Sequence, residues 1–281
     1  MISPSAIDLV ILDLDGTVID LFHSGVPSPR VSAAIAAVQA AGIPLTVGTG
    51  RTLDYLRQQL SALHLTYPVV TAHGCVVGDP QTGTIYREAT IPESVVAPLL
   101  AWLDASSLVT ALYVNDDQGH THLYQNRPSR TAADQRFHDH VFGNPRTLQP
   151  SLSALYTTPH AHAPMKFICD NDPTTEADLF PAITAAFGTE LYLTRTHPRL
   201  FEGMAPGVNK GTGLHVLCEL LQIDPARVLA IGDNDNDIPM LEVAGHAIAM
   251  GNATPGVKAV ADWVAPSIEE DGAAVVLEWL V

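Results

Sequence analysis

Apolar and polar positions along this chain follow two rhythms. Leu9, Val10, Ile11 and Leu12 form an unbroken apolar run that stops at Asp13, which predicts a strand buried on both faces. After a loop, SPRVSAAIAAVQAAG (28–42) reads as a helix, with Ser28 as its cap, Pro29 in the first helical position and Gly42 as its stop. IPLTVGTG predicts a second strand, TLDYLRQQLSAL a helix capped by Thr52, and YPVVTAHG a third strand. Strand–helix alternation of this kind predicts parallel strands joined by right-handed crossovers.

The rhythm changes after about Gly78. GTIYREATI, LVTALYVNDDQGHTHLY and APMKFICDND read as strands separated by turn residues, and PESVVAPLLAWLDA and PTTEADLFPAITAAFG as helices. The alternation then returns: NKGTGLHVLCELLQI, NDIPMLEVAG, TPGVKAVA and EEDGAAVVLEWL as helices, and ARVLAIGD, HAIAMG and DWVAP as strands. The expected plan is an α/β core built from 1–78 and 203–281, interrupted by an inserted α+β unit over 79–202.

Composition narrows the classes. With 281 residues, 47% of them hydrophobic, the chain can bury a large core. No apolar run approaches the ~18 residues of a membrane span, and MISPSAIDLV carries neither the basic nor the apolar part of a signal peptide. The expected location is the cytoplasm. Cys75, Cys169 and Cys218 are too few and too scattered for a disulfide framework. Thirty acids against 14 bases give a net charge of −16, which excludes nucleic acid and membrane surfaces as partners. The chain is expected to be a monomer or homodimer.

In open parallel sheets, ligands bind beyond the carboxyl ends of the strands. Four polar, glycine-bearing segments fall at that edge: D-L-D-G-T (13–17), T-G-R (49–51), N-K-G (209–211) and G-D-N-D-N-D (232–237). Asp13, Asp15, Asp233 and Asp237 would crowd together there. Like carboxylates a few ångströms apart destabilise one another, and a hard dication such as Mg²⁺ relieves this. Of the D-x-D pair, one carboxylate can attack phosphorus and the other can serve as acid and base. Thr49, Gly50 and Lys210 can hold the phosphoryl oxygens, and Gly16 and Gly50 let backbone approach them. Arg51 reads as an anchor of structure that also faces the substrate.

These four motifs, in this order and in these strand contexts, resemble the haloacid dehalogenase superfamily of aspartyl-phosphate phosphatases. The long gap between Arg51 and Lys210 resembles its C2-capped members. AIGDNDNDIPML with AIAMGNA is similar to the Cof-type (class IIB) branch, which hydrolyses sugar phosphates and other small phosphomonoesters. The resemblance implies a Rossmann-like, doubly wound parallel core with an inserted α+β cap, and a small phosphorylated metabolite as the partner. It implies Asp13 as nucleophile, Asp15 as acid/base, and Mg²⁺ on Asp13, the Asp15 carbonyl and Asp233, with Asp237 supporting the metal directly or through water. Thr49, Gly50, Lys210 and Asn236 are implied to hold phosphate, and Gly16 and Thr17 to shape the loop after the first strand. One position departs from the branch: Ala72-His73-Gly74 stands where N-G-A is usual, which makes His73 a candidate at the substrate entrance.

Two other functions fit parts of this pattern. A phosphotransferase or phosphomutase would use the same core, but the short Asp15–Thr49 gap leaves no room for the helical cap of such enzymes. A phosphate-binding or signalling domain would share the acidic cluster, but Asp15 argues for turnover. Three H-x-H pairs (120/122, 138/140, 160/162) could ligate zinc, yet they lack further ligands at a recognisable spacing and read as exposed loop or strand residues.

Overall fold

The fold is that of a computed structural model, which describes residues 6–20, 25–157 and 162–281. His160 lies outside the described residues. The chain divides into two compact units, Met1–Arg87 with Asn209–Val281, and Glu88–Val208.

In the first unit the order is β1 (Leu9–Leu12), α1 (Pro29–Ala40), β2 (Leu45–Val47), α2 (Leu53–Gln59), β3 (Val69–Thr71), β4 (Val76–Gly78) and β5 (Ile85–Glu88). The second unit, which begins at Glu88, holds α3 (Glu93–Ala105), β6 (Val109–Asn115), β7 (Thr121–Gln125), α4 (Ala132–Val141), β8 (Thr147–Leu148), β9 (Lys166–Asp170), α5 (Phe180–Phe187), β10 (Tyr192–His197) and β11 (Leu200–Met204). The chain returns to the first unit with α6 (Lys210–Leu221), β12 (Val228–Gly232), α7 (Ile238–Val243), β13 (His246–Ala249), α8 (Pro255–Val260), β14 (Trp263–Val264) and α9 (Gly272–Leu277).

The core sheet has the order β14-β13-β12-β1-β2, with every pairing parallel. β1 is an interior strand, between β12 and β2, and all four of its side chains are fully buried. Each contributes about 1.5–3 kcal/mol relative to exposure, which is why an uninterrupted apolar run is placed there. Register does the positioning. Leu12 lies opposite Ile231 of β12 and Val47 of β2, so the residues that follow these strands leave the sheet at one edge.

Helix starts match their capping chemistry. Ser28 Oγ accepts the Val31 N–H at 3.1 Å and Thr52 Oγ1 accepts the Tyr55 N–H at 3.2 Å. Asn209 and Thr212 form a reciprocal capping box, which fixes Lys210 as the first residue of α6.

The third expected parallel strand is shorter and differently paired. β3 runs antiparallel to β4, and it meets the parallel sheet through a single bridge between Gly48 and Val70. β5 belongs to the same three-stranded sheet, so 79–87 fall with the first unit. The inserted unit therefore runs Glu88–Val208, against the expected 79–202.

That inserted unit is a six-stranded sheet, β10-β11-β9-β6-β7-β8, backed by α3 and α5 around Leu99, Leu103, Phe167, Ile183 and Phe201. Its last two strands include Glu202, buried in an ion pair with Lys166. Here the H-x-H reading changes. His138 is fully buried on a helix, between Ser129 Oγ at 2.7 Å and Asp170 Oδ2 at 2.9 Å. His122 pairs with Asp116. Among the described residues, no helix is long and apolar enough to cross a membrane.

Candidate active site

Asp13 is the first residue beyond β1 and Asp233 the first beyond β12, the adjacent parallel strand. Asp237 lies one short 3₁₀ turn further on, where its Oδ2 accepts the backbone N–H groups of Asp233 (2.9 Å) and Asn234 (3.0 Å). The acceptor that orders this turn is thus itself one of the acids; Asp237 closes the turn before it, and its side chain makes no cap hydrogen bond to α7, the helix that follows. Lys210 arrives from the start of α6 and is 1% exposed. Its Nζ donates to Asp13 Oδ1 at 2.6 Å and to Asp237 Oδ1 at 2.5 Å.

Ligand atoms of Asp13, Asp233 and Asp237 lie within 4.8 Å of one another, the one such group of three acids, histidines or cysteines among the described residues. A single lysine cannot neutralise three carboxylates, two of them buried and the third half-buried. Burial first, then repulsion from Asp237, outweighs the pull of Lys210 and pushes the Asp13 carboxyl up to about 7. Burial and the neighbouring Asp13 raise Asp233 in the same direction. Burial alone would lower Lys210, but the Asp13 and Asp237 carboxylates hold it above its ordinary value. The donor set is all oxygen, anionic and short of positive charge, which fits a hard divalent cation.

The loop after β1 is folded onto this cluster. Leu14 C=O accepts from the N–H groups of Thr17, Val18 and Ile19, ending the strand at once. Thr17 Oγ1 donates to Asp233 Oδ1 at 3.0 Å. Gly16 has φ +95°, and a Cβ there would stand 2.2 Å from Asp233 Oδ2, so only glycine brings the loop this close.

Asp15 stands apart from the other acids. Because the strand ends at Leu12, its carboxylate turns to Arg51, which grips it through Nε (2.9 Å) and Nη2 (3.0 Å) while stacking over Tyr55. The carboxylate cluster therefore consists of Asp13, Asp233 and Asp237, without the Asp15 side chain. Arg51 acts as the anchor its position suggested, but what it anchors is the second aspartate of D-x-D.

Thr49, Gly50, His73 and Asn236 form a third group. Thr49 is fully buried, and its Oγ1 accepts the Arg51 N–H at 3.1 Å. His73 is 3% exposed and packs directly over Gly50, with Asn236 Nδ2 3.2 Å from its Nδ1. It is therefore built into the interior of the first unit. The contacts of His73 with Gly50 and Asn236, and of Arg51 with Asp15, are the parts that the sequence did not assign.

A family model described as haloacid dehalogenase-like hydrolase matches residues 10–277 of this chain. Phosphatase YwpJ of Bacillus subtilis is 26% identical over 97% of this chain and 99% of its own length. From the same organism, 5-amino-6-(5-phospho-D-ribitylamino)uracil phosphatase YitU is 27% identical over 95% of this chain and 94% of its own. A solved haloacid dehalogenase-like hydrolase from B. subtilis has the same fold, with a TM-score of 0.83, 24% identity and coverage of 98% of this chain and all of that one. The edge that gathers Asp13, Lys210, Asp233 and Asp237 thus lies within a match spanning nearly the whole sequence, and the chain belongs to the haloacid dehalogenase-like hydrolase family, as one of its phosphatases.

Proposed function

We propose that this phosphatase hydrolyses a small phosphomonoester, a sugar phosphate or a close relative, through an aspartyl-phosphate on Asp13, with Mg²⁺ held by Asp13, Asp233 and Asp237. The observation that carries the reading is the placement of Lys210 Nζ between Asp13 and Asp237, beside Asp233. It sets a nucleophile, a fixed positive charge and a metal-ligating acid at one strand edge.

In this reading an Asp13 oxygen attacks phosphorus, and the P–O bond to the leaving alcohol breaks. Asp15 protonates that alcohol, then takes a proton from the water that attacks the aspartyl-phosphate and releases inorganic phosphate. Lys210 stabilises charge on the equatorial oxygens, and the Thr49 hydroxyl, the Gly50 amide and Asn236 orient them. When bound, Mg²⁺ neutralises the carboxylates and polarises the phosphoryl group. The family resemblance and a relative named for a phosphoribityl substrate favour a sugar-like leaving group. The second unit, as a cap, would select among such groups.

The test is phosphate release from a panel of sugar phosphates, phosphoglycolate, nucleotides, pyridoxal phosphate and an aryl phosphate, each with Mg²⁺ and with chelator. Release that needs Mg²⁺ and ranks sugar phosphates first is expected. A preference for nucleotides would overturn the substrate class, and full activity in chelator would overturn the metal.

The raised carboxyls give a second expectation. Folded-state values above the unfolded ones mean that the native state binds the extra protons. The associated stability is therefore present below about pH 4 and is lost as pH rises towards 7, through the value for Asp13. Mg²⁺ replaces those protons. At a concentration a hundredfold above its Kd at pH 8, Mg²⁺ should raise the melting temperature by about 5 °C at pH 8 and, at that same concentration, by much less at pH 5. An equal shift at both pH values would place the ion elsewhere.

A further inference from the structure

The turn Ala72-His73-Gly74 is held in an unusual backbone state. All three residues have positive φ, at 49°, 57° and 96°. For the two that are not glycine this is strained, by about 1 kcal/mol or more each, and such strain persists only where surrounding structure imposes it. Here the imposing contacts are visible. The Ala72 N–H donates to Arg51 C=O at 2.7 Å and the His73 N–H to Thr49 C=O at 3.0 Å, so the turn is fastened to both ends of T-G-R.

The imidazole is wedged as a result. One edge covers Gly50, where a Cβ would stand 2.5 Å from Cε1 and from Nε2. The other edge presents Nδ1 to the side-chain amide of Asn236 at 3.2 Å. Gly50 and Asn236 are two of the groups expected to hold phosphate, and His73 touches both. It is also the position at which this chain leaves the pattern of its branch.

The amide of Asn236 explains why an imidazole matters there. As placed, its Nδ2 is turned to His73, while its buried Oδ1 has no hydrogen-bond partner. A buried carbonyl oxygen without a donor is destabilising by about 1–3 kcal/mol. It is also the wrong group to offer a phosphate, whose oxygens accept. Rotating the amide by half a turn resolves both problems. Oδ1 then accepts a hydrogen bond from Nδ1–H of His73, and Nδ2 faces the phosphate as a donor.

We infer that His73 is a positioning residue for phosphate binding, one that presents Nδ1–H to Asn236 Oδ1 and thereby turns the Asn236 amide nitrogen to the substrate phosphate. The inference rests on the phosphatase reading of Asn236, and the experiment separates the two.

Inorganic phosphate is the probe, as a competitive inhibitor of the enzyme in Mg²⁺. Asn236→Ala should raise its inhibition constant about fivefold, the worth of one neutral hydrogen bond. No change there would overturn the role of Asn236 and the inference with it. His73→Leu keeps the bulk but has no donor. It should raise the inhibition constant and KM by a similar factor, with a smaller effect on kcat, and His73→Asn should recover most of the loss. Combined with Asn236→Ala, His73→Leu should add nothing further, since both remove the same donor. Additive losses would make His73 a separate contact and overturn the inference. The unmodified enzyme offers a readout that does not depend on folding of a variant. In ¹⁵N spectra of the phosphate-bound protein, Nδ1 of His73 should carry a proton, and a bare Nδ1 would overturn the proposal as well.

Discussion

Asp13→Asn should lower phosphate release by at least about 10⁴-fold while leaving the protein folded, and more stable than the parent in the absence of metal. The loss of rate follows from chemistry: an amide oxygen is a poor nucleophile towards phosphorus, and removing a group that forms the covalent intermediate typically costs 10⁴–10⁶ in turnover. The gain in stability follows from the site. Asp13 is buried, and burial, Asp237 and Asp15 all work against its charge. Asparagine has nearly the same shape, it can still accept from Lys210, and Lys210 keeps Asp237 as an anionic partner. Active sites commonly store instability of this kind, so that replacing the catalytic acid relieves it. Steady-state assays and thermal melts in chelator test both halves. Activity within tenfold of the parent would remove Asp13 as nucleophile. A lower melting temperature would mean that the Asp13–Lys210 contact stabilises the fold more than the crowded charges oppose it.

Asp15→Asn should produce a different failure. With a sugar phosphate, both steps lose their proton transfer, and turnover should fall about 10²–10⁴-fold. With an aryl phosphate the leaving group needs little protonation, so the first step survives while the second lacks a base. One equivalent of aryl alcohol should then appear in a burst, followed by slow release of phosphate, and the phosphoenzyme should be isolable after acid quench. Arg51 makes the substitution well defined, because one of its two hydrogen bonds to the side chain can persist to the amide oxygen and hold its orientation. Equal losses with both substrates and no burst would mean that Asp15 acts before or during binding rather than in acid–base transfer.

Much of this molecule was legible in the order of its residues, for physical reasons that also show where legibility ended. β1 and β12 are short, apolar and each stopped by an aspartate, a pattern with few alternatives, and their parallel pairing brings Asp13 and Asp233 together. Lys210 was legible because a capping asparagine starts its helix. The inserted unit was harder to read. α4 buries only His138 among its residues, so it carries almost no apolar periodicity, and the local signal was Thr131 with Asp134 three residues on, a capping pair. β10 and β11 were missed because polar residues occupy buried positions there, Thr194 and Glu202 among them, and a buried ion pair looks like a loop in a hydropathy pattern. The helix expected from Pro173 onward begins only at Phe180. In the site itself, the partnership of Arg51 with Asp15 could not be read, because it depends on β1 ending at Leu12 and the chain turning before Asp15.

The central pairing of the sheet also has a consequence for the order of events during synthesis. Asp8, just before β1, is joined to Arg227, just before β12, across a sequence separation of 219 residues. β1, an interior strand of the core, thus leaves the ribosome before the inserted unit, and its neighbour β12 leaves after it. Until β12 emerges, β1 has an apolar edge and no partner on that side, whereas Glu88–Val208 is contiguous and has a core of its own. The inserted unit can therefore complete its fold while the catalytic unit is still waiting, and high contact order makes the final closure of the parallel sheet the slow step. A nascent chain arrested before residue 228 would hold a finished insertion and an unfinished catalytic unit, with Asp13 made and Asp233 and Asp237 still to come.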